Sequence, residues 1–81
     1  MKTTDIKMLN ASIAEAEAII EKITRLRDTL QEQYDNKSEK WQESEKGEAA
    51  NTAIEELTGA LDNLESAKDS LGNVVSEAEG Q

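Results

Sequence analysis

Four acidic residues recur at intervals of seven, Glu48, Glu55, Asp62 and Asp69, and Glu65 falls one turn from two of them. On an α-helix this spacing sets all five on one negative stripe, roughly 31 Å long at about 1.5 Å per residue. A row of carboxylates can serve as an electrostatic template, imitating a phosphate backbone and occupying the basic groove of a nucleic-acid-binding protein. The same pattern is also what the solvated face of an amphipathic helix shows, although such faces ordinarily intersperse both signs. Here residues 48–81 carry eight acids against the single base Lys68.

Metal binding and catalysis fit the chain less well. A calcium-binding EF-hand loop needs ligands at alternating positions around a central glycine, and residues 35–48 do not supply them. Di-iron bundles need Glu-x-x-His on facing helices, and the chain has no His. With neither His nor Cys, no hydroxyl has a partner from which a nucleophile–base pair can be argued. No glycine-rich loop cradles a phosphate, and paired carboxylates work as acid and base only in a concave, water-poor pocket. The expectation is a protein that is not an enzyme and takes no metal and no cofactor.

Tyr34 and Trp41 are the only aromatic residues. Trp and Tyr dominate binding hot spots, so Trp41 among polar neighbours is a candidate partner anchor. The other reading has both rings closing the end of a helical core. The tripeptide Ser-Glu-Lys occurs twice between them and Gly47, at residues 38–40 and 44–46.

The elements that must carry these residues are legible from hydrophobic period. Ile6, Leu9, Ile13, Ala16, Ile20, Ile23, Arg27, Leu30 and Tyr34 follow alternating steps of three and four. Ala50, Ile54, Leu57, Leu61, Leu64, Lys68, Leu71, Val75 and Ala78 repeat the pattern. Both are the a/d seam of a packed helix, so the spacing predicts two long helices, about 4–35 and about 45–72, with a bend within 35–46. Thr3, Thr4 or Asp5 is expected to cap the first helix and Ser44 the second. Gly72-Asn73 reads as the end of the second helix, followed by a frayed tail over 73–81. Arg27 and Lys68, charged at seam positions, either set register or lay their stems over the seam with their heads in solvent.

The expected fold is therefore all-α, a single antiparallel helical hairpin over residues 1–81. A single hairpin has one seam, yet each helix shows an apolar strip wider than a/d alone. The first adds Ile19 and Leu26, and the second adds Ala53, Ala60, Ala67 and Val74, all in one heptad position. A three-column strip is what a helix shows when it touches two neighbours, so these six residues are the expected self-association surface of a dimeric four-helix bundle.

The net charge of −9 repels nucleic acid and anionic lipid and attracts a basic partner. The opening residues MKTTDIKMLN lack the apolar run of a signal peptide, and no stretch approaches the roughly 20 apolar residues of a membrane span. A cytoplasmic protein is expected, with neither membrane nor direct nucleic-acid contact.

The run YDNKSEKWQESEKGEAA, followed by AIEELTGALDNLESAKDSL, resembles the small acidic helical-hairpin proteins of phages and prophages. That resemblance implies action in the host cytoplasm by binding and disabling a host protein, defence systems included; from the stripe and the aromatic reading above, Glu48, Glu55, Asp62, Glu65, Asp69 and Trp41 are the expected contact set. A second resemblance is to the secreted WxG-type helical hairpins, which place Trp and Gly at the bend before an Ala-rich helix. Here Trp41 and Gly47 stand six positions apart, and the only Tyr is Tyr34. A structural or adaptor module that self-associates is the remaining reading.

Overall fold

The computed structural model describes residues 1–80. Three helices follow in order: α1 (Thr3–Asp35), α2 (Glu39–Gln42) and α3 (Glu45–Glu79). The absence of proline and the a/d seams let α1 and α3 run for 33 and 35 residues, about 50 Å each. They pack against one another within a body 59 Å long and 14 Å across. Two 50 Å helices joined by nine residues fit that envelope only by running antiparallel, as a helical hairpin. The radius of gyration is 18.0 Å, against about 12 Å for a compact domain of this length.

Burial follows the seam. Each of the nine predicted seam residues of α1 is half-buried, and those of α3 are half-buried or buried. Of these eighteen seam residues only Ile54, Leu61 and Val75 are buried, and all three occupy the a column of α3. One neighbouring helix covers one side of a seam residue and leaves the rest to solvent, so a lone hairpin has little deep core.

Two boundaries differ from the sequence expectation. α3 does not stop at Gly72-Asn73 but continues through Glu79. Val75 and Ala78 continue the seam beyond Gly72, and packing of that face outweighs the roughly 1 kcal/mol a helical glycine costs. The expected tail is therefore helical as far as Glu79, and Gln81 lies outside the described residues. At the other end, none of Thr3, Thr4 and Asp5 caps α1; Lys2 is the N-cap and makes no side-chain capping bond. Its carbonyl accepts from the amides of Asp5 and Ile6, and Asp5 contributes by charge at the positive end of the helix dipole.

Candidate functional site

The bend is built from side chains that satisfy helix ends. The Ser38 hydroxyl accepts from the Trp41 amide at 3.2 Å and starts α2. The Ser44 hydroxyl accepts from the Gly47 amide at 3.2 Å and starts α3, and it donates to the Trp41 carbonyl. Both Ser-Glu-Lys repeats are thus helix starts, with serine as the N-cap and glutamate in the first turn. The Gln42 side-chain amide donates to the Tyr34 carbonyl at 2.8 Å, which also accepts from the Lys37 amide, and to the Lys37 carbonyl at 3.3 Å, tying α2 to the end of α1.

Gly47 is buried where α3 crosses α2. A Cβ there would overlap the carbonyl oxygens of both Trp41 and Gln42, and backbone atoms cannot step aside. Tyr34 and Trp41 meet edge to face, ring centroids 6.2 Å apart at 67°, and the Lys37 ammonium lies 5.2 Å from the Trp41 ring centre. Trp41 is half-buried by these neighbours. It closes the bend end of the seam and offers a partner only part of its ring.

Along α3, Glu48, Glu55, Asp62, Glu65 and Asp69 are all exposed. Successive members of the seven-residue series are separated by about 10.5 Å of helix rise. Among the described residues no three acidic groups gather as a metal site requires. The ion pairs among the described residues, Arg25 with Glu21 and Arg27 with Asp28, both lie on α1. Arg27 is half-buried at its seam position and donates to its neighbour Asp28 at 3.0 Å. Lys68 is half-buried at its own seam position.

Chain direction decides what stands beside the stripe. In an antiparallel pair the b and e columns of the two helices share one flank, and the c and g columns share the other. The b/e flank carries Glu17, Glu21, Asp28 and Asp35 from α1 and Glu48, Glu55, Asp62, Glu65, Asp69 and Glu79 from α3. Lys7 is its one base among the described residues. The c/g flank holds the acids Asp5, Glu15, Glu56 and Glu77 with the bases Lys22 and Lys46. It also holds every exposed large hydrophobic residue: Met1, Met8, Ile19, Leu26 and Val74. Ala53 and Ala67 are exposed in the same column, and Ala60 is half-buried. An open cleft lined by Met1, Asp5, Met8, Leu9 and Ser12 extends that flank toward the open end of the hairpin.

The molecule thus has an acidic flank and a less charged, more apolar flank on opposite sides of one seam. Periodicity found the stripe on α3, but the α1 carboxylates that widen it follow only from the antiparallel pairing. The part played by Gln42 carries no sequence signal, since a lone glutamine in a polar run marks nothing. Among the described residues no helix is long and apolar enough to cross a membrane. Comparisons with protein-family models, with curated proteins and with solved structures found no match.

Proposed function

We propose that this chain is a non-enzymatic, protein-binding helical hairpin of phage origin. Its acidic flank engages a basic host protein, of the defence or nucleic-acid-binding kind, and inhibits or sequesters it. The observation that carries this reading is the segregation of charge: ten acids with one base lie on the b/e flank, while the opposite flank holds four acids and two bases. A solvated surface has no need to sort its charge in this way, whereas a surface that competes with a nucleic-acid backbone does. Long-range attraction then speeds encounter with a basic groove, and binding weakens as salt screens it.

The test is affinity capture from host extract, identification of the captured protein, and titration of that purified protein at low and high salt. Changing Glu55→Gln, Asp62→Asn and Asp69→Asn together should abolish binding while helicity is kept. Binding that survives all three changes and ignores salt would sink the reading.

A second reading, a self-associating structural or adaptor module, is favoured by the exposed Ile19, Leu26 and Val74 on the other flank, at 46%, 50% and 38% exposure. It makes the c/g flank the working surface of a homodimer and leaves the acids to keep the assembly soluble.

A further inference from the structure

The hairpin exposes 6029 Å², about a quarter more than the roughly 4,800 Å² expected of a folded 8.9 kDa monomer. The exposed large hydrophobic residues Met1, Met8, Ile19, Leu26 and Val74 all lie on the c/g flank. From Ser12 to Gln33 on α1 and from Ala53 to Val74 on α3, the g column contains no charge. The strip spans 21 residue steps of each helix, about 31 Å, on a body 14 Å across, or roughly 440 Å² per copy, a little over half of the ~800 Å² per partner of a standard interface.

The shape of the strip identifies its occupant. α1 ends at Asp35 and α3 begins at Glu45, so residues whose numbers sum to about 80 lie level in the hairpin. Ile19 is level with Ala60, Leu26 with Ala53, and Ser12 with Ala67. At the Ile19 and Leu26 levels one helix offers a large side chain where the other offers alanine, while Ser12 and Ala67 are both small; the two central levels make a self-complementary surface of the kind a two-fold axis requires. The remaining charge also favours a second copy: two acidic molecules associate at least cost through the flank that carries least of their charge.

We infer that two copies pair through this flank about a two-fold axis parallel to the helices. This operator keeps levels and exchanges helices. Ile19 then packs on the partner's Ala60 and Leu26 on the partner's Ala53, as knobs over small residues. A two-fold axis across the helices would set α1 on the partner's α1, stacking large residues on large and alanines on alanines, with voids between. The parallel axis puts both bends at one end and both acidic flanks on the outside, about 180° apart. The assembly is a bivalent acidic particle able to hold two basic partners at once. The inference rests on the self-association reading and does not depend on the acidic flank binding anything.

Its test uses the full chain, which lacks cysteine, with Lys40→Cys at an exposed bend position carrying a nitroxide label. Sedimentation should show a dimer, and dipolar spectroscopy a label separation of roughly 20 Å, the width of two packed helices. Ala60→Glu should abolish both dimer and dipolar signal while helicity is retained, and the Glu55, Asp62, Asp69 triple change should alter neither. A concentration-independent monomer overturns self-association and geometry together. A dimer with labels as far apart as the 59 Å body overturns the geometry alone. A dimer unaffected by Ala60→Glu overturns the choice of flank.

Discussion

The bend and the shaft of this hairpin are held by different means. The bend is fixed by individual residues with one task each: Ser38 and Ser44 cap, Gln42 closes α1, and Gly47 admits the carbonyls of α2. The shaft is held by repetition, with eighteen seam positions of which only Ile54, Leu61 and Val75 are more than nine-tenths buried. A structure made of unique parts fails at any one of them, whereas a periodic one loses stability in increments. The two ends of the same fold therefore differ in how they tolerate change.

Gly47→Ala attacks the unique part and should be the most damaging single change. The new methyl has only backbone to displace, so a loss of roughly 3–4 kcal/mol is expected in chemical denaturation. A loss under about 1 kcal/mol would show that α2 can shift and that the bend is no special case. Leu61→Ala attacks the shaft at its most buried level. Its cost should be roughly 2–3 kcal/mol, at the low end for such truncations because an open seam can partly collapse. Were it to exceed the cost of Gly47→Ala, the contrast between the regions would reverse. Gly59→Ala tests the same residue type in the other setting. Nothing lies within 4 Å of a Cβ at this position, so the change should raise stability by about 1 kcal/mol. Opposite signs at Gly47 and Gly59, read as midpoint shifts in one denaturant series, would state the comparison most sharply.

The same division explains what was legible in the sequence. Period alone located the seam of both helices, because each apolar position is confirmed by the next one three or four residues on. Ser44 was legible as a cap because serine before an acidic first turn is a local signal. The four residues of α2 are too few to show a period, so the bend read as irregular. Gly72 was misleading because glycine often ends helices, and the seam beyond it proved the stronger determinant. Nothing near Gly47 shows that a neighbouring backbone needs its space, since that requirement exists only once α2 and α3 have met. The opposition of the two flanks waited on chain direction, which no single helix contains.

The hydrogen bonds of the bend run unbroken from the Tyr34 carbonyl to the Gly47 amide, all within one short segment of chain. Such a segment can organise before any distant residues have met. Each seam level beyond it then closes a loop only slightly longer than the last, and the entropy of closing grows slowly with length. Assembly like a fastener drawn from the bend toward the termini is the order this favours, and native-state hydrogen exchange should then show protection falling stepwise from the bend toward Ile6 and Ala78.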